Sequence, residues 1–137
     1  MIKPWFIFAL LALVMWGLWG FFPKLATLHI TPKSAIVYEV LGSMIVGAVI
    51  FSLIKFQPET QPTGIVFAVL TGITATLGTF FFLYAVTLGK ASVVVTVTAL
   101  YPLITILLTY LVLKEPITML QGVGMVLALI AMVFFTL

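Results

Sequence analysis

Glu39 is the one acidic residue of this 137-residue chain that falls inside a long apolar run; Glu59 and Glu115 stand beside Pro58 and Pro116 in polar breaks. A carboxyl group among apolar side chains is costly unless it faces a bundle interior or a water-filled path, and such positions mark function. Low-dielectric surroundings favour the protonated form of an acid, and a nearby ammonium group favours the ionised form. Glu39 is therefore a candidate to bind a proton or a cationic substrate in turn. The plainer alternative is that it pairs with Lys24 or Lys33 and ties two helices together. The remaining chemistry is sparse. Six lysines and three glutamates supply all the charge at pH 7, with one histidine and no Arg, Asp or Cys. Disulfides, thiolate nucleophiles and Cys-based metal sites are excluded. His29 lies in a polar connection without a companion for metal or triad chemistry. No phosphate loop or catalytic constellation is present, so neither an enzyme, a cofactor nor a bound metal is expected. The lysines stand singly and form no basic patch for nucleic acid.

Polar and small residues fall on helical stripes. Thr98, Pro102, Thr105 and Thr109 are spaced four, three and four, which places them on one face. Pro102 lacks an amide hydrogen and its ring clashes with the carbonyl of Thr98, so a kink is expected there. Kinked helices with freed carbonyls line cavities in transporters, although threonines also bond simply to their own backbone. Ala68, Gly72, Thr76 and Thr79 form a second stripe, and Gln121, Gly124, Ala128 and Ala131 a third. Small residues at this spacing let helices approach closely, and both stripes are read as packing faces. Trp5 and Trp19 suit the aromatic belt at a membrane surface. Trp16 lies deeper and is a candidate cavity wall, where its ring would favour cations or flat apolar molecules.

These residues need elements to hold them. The chain is 64% hydrophobic and 7% charged, with mean hydropathy +1.40. A soluble domain averages about 45–50% apolar and about 25% charged, so the solvent for this chain is lipid. A spanning helix needs roughly 20 mostly apolar residues. Five stretches qualify: Trp5–Phe22, Ser34–Ile54, Gly64–Leu88, Ala91–Leu113 and Pro116–Leu137. Each boundary is a charge, a proline or a glycine. The expected fold is an all-α bundle of five transmembrane helices in one domain covering residues 1–137. The first stretch is longer than the 7–15 residues of a signal-peptide core and precedes no small-x-small cleavage site, so it reads as a retained helix.

Five spans put Lys3, Lys55 and Lys114 on one side of the membrane and Lys24, Lys33 and Lys90 on the other. Orientation normally follows a Lys/Arg excess on the cytoplasmic side, and three against three offers none. Either the first helix decides, or copies insert both ways and pair antiparallel.

Several of these residues also resemble a known family. Trp16-Gly17 followed by Pro23-Lys24 resembles the first helix of EamA-type drug/metabolite transporters. Tyr84-Ala85 with Gly89-Lys90-Ala91-Ser92 resembles the junction between that family's third and fourth helices. Ala99-Leu100-Tyr101-Pro102, Lys114-Glu115-Pro116, Gln121 and Gly124 are similar to its closing run. The resemblance covers nearly the whole chain and implies one five-helix repeat, where many members carry two. It also implies movement of small metabolites or drugs. An odd number of helices makes tandem repeats inverted, so a single repeat would reach the same architecture as an antiparallel homodimer. Many relatives place an Arg-Phe pair about seven residues after a proline early in the second helix. Here Pro32 is followed at that distance by Glu39, a reversal of charge that points toward protons or cations.

The resulting expectation is a secondary transporter of a small, amphiphilic or cationic molecule, proton-coupled through Glu39 and working by alternating access. Its cavity would be lined by Trp16, Glu39, Tyr84, Tyr101, Pro102 and Thr105. The expected setting is a multi-pass position in a prokaryotic cytoplasmic membrane. The rival readings are a non-transporting membrane assembly subunit, in which Glu39 would be paired with lysine and closed to water, and half of a heterodimeric transporter.

Overall fold

A computed structural model describes residues 4–136; Lys3 and Leu137 lie outside the described residues. Every regular element among them is helical. Helix α1 spans Pro4–Thr27, α2 Pro32–Leu53 and α3 Pro62–Leu88. They are followed by α4, Ala91–Thr98, α5, Tyr101–Leu108, a π-helical turn, Thr109–Leu113, and α6, Met119–Thr136. Four stretches among the described residues are long and apolar enough to cross a membrane: α1, α2, α3 and the composite Ala91–Leu113. The apolar part of α6, Met119–Phe134, is shorter. The chain divides into two compact units, 1–88 and 89–137.

In the first unit α1, α2 and α3 pack on one another. The buried residues are Gly20 and Pro23 on α1, Ala35 on α2, and Thr79, Phe82, Leu83 and Val86 on α3. All belong to the last turns of α1 and α3 and the first turn of α2, so the packed core sits at the end where those three termini meet. Leu83 and Val86 are the largest fully buried side chains of this core. Elsewhere the outward faces are apolar, with Trp5, Phe8, Leu13, Met44, Ile45 and Phe67 all well exposed. In hydrocarbon this is the expected solvated surface, because the helices satisfy their own backbone hydrogen bonds.

Pro23 does not end the first helix. The helix continues another turn to Thr27, with the Thr27 hydroxyl donating to the Pro23 carbonyl at 2.9 Å. A proline inside a helix withholds one bond, here the one that would reach the carbonyl of Trp19. The extra turn brings Lys24 to the end of α3, where its ammonium donates to the Val86 carbonyl at 2.6 Å. Val86 is within the last four residues of α3, whose carbonyls lack intrahelical partners. A cation there also complements the helix dipole. Replacing Lys24 by Met, which keeps the aliphatic stem, is expected to lower stability by about 1.5–3 kcal/mol, the value of a hydrogen bond to a charged group. Denaturant unfolding of the purified protein reads this, and an unchanged midpoint would show that the contact contributes nothing.

In the second unit the helix is interrupted just before Pro102. The α-helix stops at Thr98, Ala99 and Leu100 form a turn, and α5 resumes at Tyr101 with Pro102 in its first turn. The Leu103 amide donates to the Leu100 carbonyl at 2.9 Å, restarting the ladder. At the other end of α5 the chain widens into the π-helical turn and closes on Lys114 in the left-handed conformation, φ 57 and ψ 28. The last helix begins later than expected. Pro116, Ile117 and Thr118 precede the helix, and Thr118 with Gln121 forms a capping box. The Gln121 Oε1 accepts from the Thr118 amide at 2.8 Å and from its hydroxyl at 3.0 Å, while the Thr118 hydroxyl accepts from the Gln121 amide at 3.3 Å. Gln121 thus belongs to a helix start and not to a packing stripe.

Candidate substrate site

The helix α2 begins at a Thr-Pro signal. Thr31 is the N-cap, its hydroxyl accepting from the Ser34 amide at 3.3 Å, and Pro32 occupies the first turn. From that fixed start Glu39 falls seven residues in, about 10 Å along the axis at 1.5 Å per residue. It is one turn beyond Ala35, just past the packed core. Its side chain is half-buried, and its Oε1 accepts a hydrogen bond from the indole Nε1 of Trp19 at 2.9 Å. The indole is itself held by stacking on Phe82, with ring centroids 5.0 Å apart and planes at 28°. Three helices therefore converge on one carboxylate: α2 supplies it, α1 supplies the donor, and α3 supplies the plate that fixes the donor.

Beside Glu39 lies a cavity of about 90 Å³ between α2 and α3, lined by Ile36, Glu39, Val40 and Ser43 from α2 and by Ala75, Thr76 and Thr79 from α3. The stripe read as a packing face thus contributes the hydroxyls of Thr76 and Thr79 to a cavity. Gly72, one turn away on the same stripe, would meet nothing within 4 Å if it carried a Cβ, so it mediates no close helix crossing. Ser43 donates to the Glu39 carbonyl at 3.1 Å, Thr76 to the Gly72 carbonyl at 2.9 Å, and Thr79 to the Ala75 carbonyl at 3.0 Å.

Of the six residues expected to line a cavity, Glu39, Trp16 and Tyr84 belong to the first unit. Trp16 lies one turn before Trp19 and is well exposed. Tyr84 is half-buried with its ring edge-on to Phe80 at 5.0 Å. Tyr101, Pro102 and Thr105 belong to the second unit and share α5, where the Thr105 hydroxyl donates to the Tyr101 carbonyl at 3.4 Å. The tryptophan that touches Glu39 is Trp19, which its distance from Pro23 had suggested for the membrane surface. The continuation of α1 through Pro23 puts Trp19 two turns inside the helix end. Among the described residues no three His, Cys, Asp or Glu side chains come together in a metal-binding group.

Residues 3–137 match the EamA-like transporter family. The chain belongs to that family. It is a half-size EamA protein with a single repeat, and its long apolar helices make it an integral membrane protein. EamA proteins are membrane transporters of the drug/metabolite kind, so the family points to a small-molecule transporter. The chain is 30% identical over 130 residues to an uncharacterized protein of Methanocaldococcus jannaschii, a similarity covering 95% of this EamA chain and 94% of that relative. No solved structure matches it.

Proposed function

We propose that the protein is a proton-coupled secondary transporter of a small cationic or amphiphilic molecule, assembled as an antiparallel homodimer in a prokaryotic cytoplasmic membrane. The observation that carries this reading is the environment of Glu39. A carboxyl group well inside a span lines a cavity that also holds three hydroxyl groups, and it is positioned by a neutral indole N–H. A group held by a neutral donor keeps the freedom to exchange a proton for a cation, which a tight lysine pair would remove. Lys24, the nearest lysine in the sequence before α2, donates to the Val86 carbonyl. Proton and substrate would compete for Glu39, and the site would open to the two sides of the membrane in turn. Trp16, Tyr84, Tyr101, Pro102 and Thr105 are proposed as further lining of the transport path, with the break before Pro102 as a flexing point.

The even division of lysines between the two sides supports the antiparallel pairing, since neither orientation is favoured by charge. Reconstituted vesicles with an imposed pH gradient test the transport reading. Addition of an organic cation on one side is expected to release protons to that side, followed with a pH-sensitive dye. Vesicles whose proton flux never responds to any cation would overturn proton exchange.

A further inference from the structure

Every hydroxyl that lines the cavity beside Glu39 has already spent its hydrogen. Ser43, Thr76 and Thr79 each donate to a carbonyl of their own helix, at 3.1, 2.9 and 3.0 Å. A hydroxyl has one hydrogen and two lone pairs, so what these three can still offer a ligand is acceptor capacity. The fourth polar side chain of the lining is the Glu39 carboxyl, which when ionised is acceptor-only, with about four acceptor sites. The Trp19 indole takes up one of those sites at 2.9 Å. The other lining residues, Ile36, Val40 and Ala75, are apolar. With Glu39 ionised, the polar wall of the cavity is thus composed of acceptors and presents no donor of its own.

Resting on the transport reading, we infer that this cavity receives an N–H-bearing ammonium head, a protonated primary or secondary amine, in preference to a quaternary ammonium. The charge of either head complements Glu39. They differ in donors. A primary ammonium carries three N–H groups that can engage the carboxylate and two of the hydroxyl oxygens. A trimethylammonium head carries none, and it would strip water from those oxygens without replacing its hydrogen bonds, which in a low-dielectric site is costly. A cavity of about 90 Å³ has room for an ammonium group and the start of its alkyl chain, the chain itself then following the apolar side of the site.

Titration calorimetry on the purified protein, with no gradient imposed, tests this independently of transport. The probes are n-butylammonium, butyltrimethylammonium and sodium chloride. Butylammonium is expected to bind at least about tenfold more tightly than the trimethyl compound, the equivalent of one lost hydrogen bond. Thr76→Val is expected to weaken butylammonium several-fold and leave butyltrimethylammonium unchanged, while Thr76→Ser, which restores the hydroxyl, recovers the selectivity. Equal or tighter binding of the trimethyl compound, a response to sodium alone, no binding of butylammonium, or selectivity untouched by Thr76→Val would each overturn the inference. A selective amine site in a protein that moves no protons would leave this inference standing and remove the transport reading; proton flux driven equally by both ammonium types would do the reverse.

Discussion

Glu39→Gln is expected to reduce pH-gradient-driven transport in reconstituted vesicles to the level of protein-free vesicles. The substitution is nearly isosteric, and a glutamine Oε1 can accept from Trp19 as the carboxylate does at 2.9 Å. The three-helix junction is therefore retained, and what disappears is the ability to carry a proton or a negative charge. The expected loss is in both coupling and cation binding, since one group serves both. Trp19→Phe makes the complementary change. It keeps an aromatic ring for stacking on Phe82 but removes the N–H, so the carboxylate stays and loses its anchor. A decrease of about tenfold in apparent cation affinity is expected, the equivalent of a charge-assisted hydrogen bond worth roughly 1.5 kcal/mol, with proton exchange still measurable at saturating cation. The pair of variants separates the group that titrates from the group that positions it. Full transport by Glu39→Gln would remove Glu39 from the mechanism.

The membrane-embedded all-helical fold was legible because lipid allows so little else: long apolar runs interrupted by Lys, Pro and Gly have one stable spanning conformation for a single short chain. Glu39 was legible for the same reason, as the exception to an apolar run. What surrounds it was not. Trp19 stands four residues before Pro23, and a proline after an apolar run suggests a helix end, which places the tryptophan at the membrane surface. Lys24 and Thr27 reverse that inference by bonding to Val86 and Pro23 and so holding the extra turn. The signal for a continued helix was weak, since the residues 24–27 are permissive without being distinctive. Thr76 and Thr79 were read as packing residues because small polar side chains serve both purposes, and spacing alone does not distinguish a tight crossing from a cavity. Gln121 is a different case. Thr118 and Gln121 have the spacing of a capping box, and the same glutamine also falls in register with Gly124 and Ala128, so two local patterns overlap at one residue.

Locking all copies in one orientation is expected to abolish transport, and mixing copies locked in opposite orientations is expected to restore it. The lysine count leaves the two insertion directions nearly equal in free energy, so a small charge excess should decide between them. Gln57→Lys with Thr60→Lys adds two positive charges to the connection between α2 and α3; Leu28→Lys with His29→Lys adds two to the connection between α1 and α2. All four positions are exposed and lie outside the helices, and none lines the cavity beside Glu39. C-terminal reporter fusions should show the unmodified protein on both sides of the membrane and each double variant on one side, the two variants opposite to each other. Each variant alone would then lack antiparallel partners and transport at background, and their co-expression would recover activity. Activity from either locked variant alone would show that parallel copies or single chains suffice. A single reporter location for the unmodified protein would point instead to a fixed topology with a separate partner chain. The rescue by mixing is the discriminating result, because damage to folding by the added lysines would lower both variants without allowing either to complement the other.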